Sequence, residues 1–283
     1  MLNDEIIITY PYLKKLDARY NGNITDDCLK KLSNLKILHV NILTSDEGIK
    51  HMKLKKLYMN YNNNITDNNI KHMKLKVLHA HATKITDNGI QNMELKELHA
   101  GSYITVNSGI TDEGIKNMNL HVLYIPYNVL ITSKIIKKMT NLKILDIRGT
   151  NVIADEDIQH LSLSVLLISN NPKITDNGIK HMNLIQLDLQ GNLNITDEGI
   201  KHMTKLKDLN ISRNRNITGK GLKNLYLDTL SCYYSGSNIT KECIKHMKLR
   251  TLGAMFDSPI DDDWLKDMQL EKLVVTDNKK ITK

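Results

Sequence analysis

The sequence predicts an α/β repeat protein, and three observations predict it. An aliphatic residue following T-D-x-x, or a variant of it, recurs along the chain from Ile7, Leu29 and Ile49 through Ile179 and Ile200 to Ile244 and Leu265. Five or six residues after each of these comes the first leucine of an L-x-x-L-x-Φ run (Φ apolar), from Leu13 and Leu35 through Leu184 and Leu206 to Leu270. The two ladders divide the 283 residues into thirteen tandem units of about 21 residues, read as a single repeat domain over 1–283. With one Trp and one Phe, the chain must build its core from Leu, Ile and Met, and each short unit can bury these only against its neighbours.

Within a unit two periodicities follow one another. In L-x-x-L-x-Φ the apolar fourth and sixth positions alternate with variable ones, which predicts a short strand with one buried face. In T-D-E-G-I-K-H-M, as at residues 196–203, the opening Thr accepts from backbone N–H groups and acids in the first turn favour the helix dipole. Ile and the Met three places later share one side of a short helix. A unit is therefore expected to be a strand, a turn and roughly two turns of helix.

The net charge of +8 is carried mainly by Lys, which keeps the surface soluble first and suits acidic partners second. The opening MLNDEIIITYPY lacks the pattern of a secretory signal, and no apolar run reaches membrane-spanning length. Cys28, Cys232 and Cys243 read as small core residues rather than a disulfide set. Together these predict a cytoplasmic, unglycosylated protein, the N-I-T triplets being a by-product of the repeat.

The runs LIQLDLQGN (184–192) and LKDLNISRN (206–214) resemble the leucine-rich repeat, and the ITDEGI half resembles its ribonuclease-inhibitor-like, cysteine-containing subclass, found in F-box substrate receptors. The resemblance spans the chain, with units shorter than the roughly 26 residues usual in that subclass. The asparagine at the ninth position stands at Asn21, Asn62, Asn128, Asn171, Asn192 and Asn214, replaced by Thr83, Tyr103, Thr150, Ser235 and Asp257. The resemblance implies an α/β leucine-rich repeat solenoid, a horseshoe or arc with a parallel sheet on the concave face and short helices on the convex one. It implies a non-enzymatic scaffold for protein–protein interaction, a recognition module lacking an F-box-like segment of its own.

The residues agree in offering no catalytic grouping: no glycine-rich phosphate loop, no Cys-x-x-Cys, no Ser, His and Asp that the repeat would gather. His51, His72, His160, His181, His202 and His246 form a helix column that invites a metal reading. We read them instead as half-exposed residues of a copied repeat, and expect no metal and no cofactor. The Met column, from Met52 to Met268, reads as core filling.

Binding information is expected at the variable fifth strand position, which faces the concave side. Units two to six place His39, Tyr58, His79, His99 and Tyr124 there, on strands about 4.8 Å apart, joined by Tyr61, His81 and Tyr127 two or three places on. Rings with a polar handle are what protein interfaces use as anchors. The unit from Ile90 to Ile115 is the long one, its surplus lying within residues 102–109, and long loops in repeats often serve binding. Lys occupies the second position in five early units, at Lys14, Lys36, Lys55, Lys76 and Lys96, either as a solvated rim or as an alternative nucleic-acid contact. Tyr233, Tyr234, Met255 and Phe256 form a smaller apolar patch that either binds a partner or closes the end of the repeats.

Overall fold

In the computed structural model, which describes residues 3–102, 109–234, 239–256 and 258–282, every unit supplies one three-residue strand and one short helix. The contacts gather into two compact units, residues 1–141 and 142–283. In the first, β1 (Lys15–Asp17), β2 (Ile37–His39), β3 (Lys56–Tyr58), β4 (Val77–His79), β5 (Glu97–His99) and β6 (Val122–Tyr124) pair in chain order, all parallel. In the second, β7 (Ile144–Asp146), β8 (Val165–Leu167), β9 (Gln186–Asp188), β10 (Asp208–Asn210), β11 (Thr229–Ser231), β12 (Thr251–Gly253) and β13 (Lys272–Val274) do the same. The register pairs fourth position with fourth and fifth with fifth, so Leu57, Leu78 and Leu98 point inward together while Tyr58, His79 and His99 point outward together.

The core is a set of one-residue ladders. The fourth-position leucines and the helix anchors are fully buried through most units, as at Leu123, Leu187, Ile115 and Ile200. The methionines fill the layer between helix and strand, Met52 through Met247 being no more than 9% exposed wherever the column runs. Asparagines form a third, polar ladder. Asn214, fully buried, donates to the carbonyls of Asn192 (2.6 Å) and Ile195 (3.0 Å) one unit back and accepts from the N–H groups of Asn216 and Ile217. One side chain thus satisfies four backbone groups that the turn leaves inside. Asn41 and Asn278 play the same part. The register of the shortened second unit had hidden Asn41 by two residues. Thr83 and Thr150 donate to a carbonyl of their own unit, and Thr150 also accepts from the Asn171 amide one unit on; the substituting Tyr103, Ser235 and Asp257 lie outside the described residues.

The helices are shorter than expected. Each is a single turn of four residues, or five in Asp26–Lys30, and the buried methionine sits in the tight turn beyond, as where Met182 N–H donates to Ile179 O. The T-D-x-G sequence is also committed to the next unit. Asp176 accepts from both the backbone N–H (2.8 Å) and the hydroxyl (2.6 Å) of Thr196, the N-cap one unit later. Asp67 and Thr86, Asp155 and Thr175, and Asp197 and Thr218 repeat the contact. That carboxylate occupies the place of a Cβ on Gly199, which would stand 2.4 Å from Asp176 Oδ1. The glycine of the consensus therefore makes room for the neighbour's aspartate, and the aspartate staples units as well as favouring a dipole.

Candidate interaction surface

On the outward face of the first unit's sheet the fifth-position side chains form a continuous ring stack. His39 lies on Tyr58 with centroids 3.9 Å apart and planes 5° from parallel. Tyr58 meets His79 edge-on at 4.4 Å, His79 stacks on His99 at 3.4 Å, and His99 on Tyr124 at 4.2 Å. Parallel strands in register bring the rings to stacking distance, because the strand spacing exceeds the thickness of a ring by about an ångström. Tyr61 and His81 make a second, edge-to-face pair at 5.4 Å beside the stack, and Tyr127, 45% exposed, stands in Tyr61's position three units on.

Burial shapes the chemistry of the stack. The imidazoles of His39, His79 and His99 are all pushed below the usual histidine range by loss of water, His99 to about 3 with His79 and His81 adding to the effect. In His79 the Glu97 carboxylate opposes the shift without reversing it. The 2.7 Å contact between His79 Nε2 and Glu97 Oε1 is thus a hydrogen bond from a neutral ring at neutral pH, the Nε2–H tautomer being assigned from the carboxylate. His99 Nε2 comes within 3.3 Å of the same oxygen without hydrogen-bond alignment, and is buried without a hydrogen-bond partner. Burial, with the nearby Glu97 charge, raises the Tyr58 phenol above its ordinary value. At the near end the Arg19 guanidinium grips Asp17 and holds its carboxyl at about 2.

Between the stack and the turns runs a groove of about 370 Å³, bounded by Arg19, Tyr20, His39, Ile42, Tyr58 and Tyr61. Glu97, Tyr20 and Arg19 are the members that sequence reasoning missed. Glu97 had a signal: it takes the third strand position, where the paired strands carry Val77 and Val122. Tyr20 had one too. The residue three beyond the strand end adopts a left-handed conformation in most units, and Gly149, Asn170 and Gly191 suit it. Tyr20, Tyr61, Tyr127, Tyr234 and Phe256 hold bulky rings there at φ between 52° and 64°, and Tyr20 is wholly exposed. A left-handed backbone disfavours such residues, and strain of this kind gathers at functional sites.

The remaining expected residues sort by neighbourhood. The lysine column edges the sheet, with Lys76 paired to Glu94 at 2.7 Å and Lys96 donating to Asn119 O. The patch of the second unit is half-buried rather than exposed: Tyr234 stacks on Phe256 at 4.9 Å beneath Arg213, Tyr233 donates to Gln190, and Met255 is half-buried beside them. Cys28 and Cys232 are buried and in no disulfide, while Cys243 is half-exposed and caps Thr240. On the helix side His51, His72, His160, His181 and His202 are exposed, and His246, half-buried, bonds Leu225 O. Residues 103–108, the surplus of the long unit, lie outside the described residues. No helix is long and apolar enough to cross a membrane among the described residues.

The Leucine Rich repeat family model matches residues 138–162, 180–201 and 202–225. No curated protein matches the chain. Among solved structures, a chain of the Rad7 and Elc1 complex of yeast is similar at TM-score 0.64 and 17% identity, covering 100% of this chain and 81% of that one. An internalin, InlF, of Listeria monocytogenes is similar at TM-score 0.60 and 17% identity, covering 100% and 85%. A chain of the TLR13–ssRNA13 complex is similar at TM-score 0.50 and 17% identity, covering 96% and 48%. Repeating strand, asparagine turn and short helix, stacked unit on unit in parallel register, with three consensus windows matched, give the chain the leucine-rich repeat fold.

Proposed function

We infer that the chain is a non-enzymatic protein-interaction scaffold that takes a protein partner on the concave, ring-bearing face of units two to six, as a substrate-recognition module does. The carrying observation is the unbroken stack from His39 to Tyr124, flanked by the exposed rings of Tyr20, Tyr61 and Tyr127. Packed side by side, the five rings cannot collapse or rotate on binding, so little side-chain entropy is lost when a partner covers them. All five rings are half-buried, so each keeps part of its ring open beside apolar surface, the composition of an interface anchor.

The same packing favours protein over nucleic acid. A base stacks on an exposed ring face, and here His39 on Tyr58, His79 on His99 and His99 on Tyr124 cover one another's faces at 3.4 to 4.2 Å. The second reading, nucleic-acid binding along the lysine column, draws support from a similar fold having been solved in complex with a single-stranded RNA. Buried cysteines outside any disulfide, at Cys28 and Cys232, fit a reducing, cytoplasmic setting.

Simultaneous alanine replacement of Tyr58, His79 and His99 tests the site. Capture of the principal partner from lysate is expected to be lost while circular dichroism is retained. Undiminished capture would remove the assignment. Nucleic-acid binding requires affinity that falls steeply with salt; no binding at low salt removes the second reading.

A further inference from the structure

Two adjacent strands bring three metal-ligand types to one point. Glu97 and His99 are alternate residues of β5 and share its outward face, and His79 of β4 is the register partner of His99. One ligand atom from each of the three lies within 4.8 Å of the others, the one such grouping of His, Cys, Asp or Glu among the described residues. We propose that His79, Glu97 and His99 form a binding site for a first-row transition-metal dication of the zinc type.

The geometry is that of a site held together by a proton. An ion about 2.0–2.2 Å from imidazole nitrogen and carboxylate oxygen sets its ligands roughly 3.3 Å apart in tetrahedral coordination. His99 Nε2 and Glu97 Oε1 already stand at 3.3 Å. His79 Nε2 and Glu97 Oε1 stand at 2.7 Å, where the proton on Nε2 draws them together. Binding moves that proton from Nε2 to Nδ1 by exchange with solvent, which leaves His79 a neutral ligand with its Nε2 lone pair on the ion and releases no net proton. The two imidazoles stack 15° from parallel with centroids 3.4 Å apart, so a ring turns out of the stack as both Nε2 atoms come to face one ion.

The electrostatics agree. The Glu97 carboxylate stands against both imidazoles and supplies the anionic ligand that a dication needs. His99 Nε2, buried and without a hydrogen bond, gains a partner when the ion arrives. A half-buried carboxylate beside an unpartnered nitrogen is costly for a purely structural cluster; a dication answers both. Three protein ligands leave a position open on the outward face.

The site shares His79 and His99 with the proposed partner face, and the experiment separates the two readings. The full chain, stripped with chelator and dialysed, is titrated with Zn2+ by calorimetry and with Co2+ by visible absorption. One ion per chain is expected, with Co2+ giving d–d bands of nitrogen and oxygen ligation and no thiolate charge-transfer band. His99→Ala and His79→Ala are expected to weaken Zn2+ binding roughly 100-fold, and Glu97→Gln, which keeps size and shape, roughly 10-fold or more. His181→Ala, on the exposed helix column, should leave it unchanged. Zn2+ should raise the melting temperature of the parent chain and not that of Glu97→Gln. Absence of saturable binding, or binding that persists at parental strength in Glu97→Gln and His99→Ala, overturns the site. Glu97→Gln retains every ring, so lost metal with intact partner capture separates the two readings, as does parental metal binding with lost capture in Tyr58→Ala.

Discussion

Gly199→Ala should destabilise the parent chain and stabilise an Asp176→Ala chain. The new methyl carbon would stand 2.4 Å from Asp176 Oδ1, so the carboxylate must swing away from the hydroxyl and N–H of Thr196 that it now holds at 2.6 and 2.8 Å. Hydrogen bonds to a charged acceptor contribute about 1.5–3 kcal/mol each, and losing the better part of one costs that amount. Alanine returns roughly 1 kcal/mol of helix propensity over glycine. The net for Gly199→Ala is therefore a loss of about 0.5–2 kcal/mol. With Asp176 already alanine the nearest remaining contact is Ile195 Cγ2 at 3.2 Å, a side-chain methyl that need shift only a few tenths of an ångström, which leaves most of the propensity gain of roughly 1 kcal/mol. Asp176→Ala by itself should cost about 2–4 kcal/mol, since water at this half-exposed site recovers part of two bonds. Urea denaturation of the four proteins gives a double-mutant cycle with a coupling of about 1.5–3 kcal/mol. A coupling below about 0.5 kcal/mol would mean that the glycine is not there for the neighbour's aspartate, and the staple argument fails.

Asn214→Ala should cost about 2–4 kcal/mol in the same assay, because it strands the buried carbonyls of Asn192 and Ile195 and the N–H of Ile217; Asn214→Asp, which cannot donate, should not rescue it. Stability should fall as pH drops from about 6.5 toward 3. His99 is held neutral in the folded chain down to about 3 and takes a proton in the unfolded chain near 6.5, so the unfolded state binds more protons in that window. Between pH 7 and 5 the His99 contribution is at most about 2 kcal/mol, and His99→Phe, which keeps a ring in the stack, should flatten the slope measured by thermal melts at each pH. Tyr20→Asn should raise stability by roughly 0.5–1 kcal/mol, since a fully exposed ring loses no burial and asparagine tolerates φ near 60°; the same change should weaken partner capture, and an unaltered melting temperature would show that Tyr20 carries no strain.

Much of this molecule is legible in one dimension because a repeat prints its structure many times over. The leucine and isoleucine ladders locate every strand and helix, and the fifth-position column locates the rings from His39 to Tyr124 before any distance is known. Each of these readings needs only spacing along the chain. The misreadings come from contacts made between units. T-D-E-G looked like a dipole-adapted helix start of two turns, whereas its aspartate and glycine answer to the threonine and aspartate of adjoining units, and the helix ends after one. Asn41 was hidden by a two-residue shift in a shortened unit, and it emerges only when its amide is seen on the carbonyls of Asn21 and Ile24.

Glu97 shows the division best. In the sequence it is one acid among Lys, Val and Ile at a variable position, with nothing to tie it to His79 eighteen residues earlier. Parallel pairing sets His79 opposite His99, alternation along β5 sets Glu97 on the same face, and the three meet within hydrogen-bonding reach. The sequence by itself determined the repeat, its elements and the residue types offered on each face, because these depend on local spacing and burial. Tertiary structure decided which side chains touch across units, how far burial moves their protonation, and where a chemical site forms, because those depend on distances that only strand register sets.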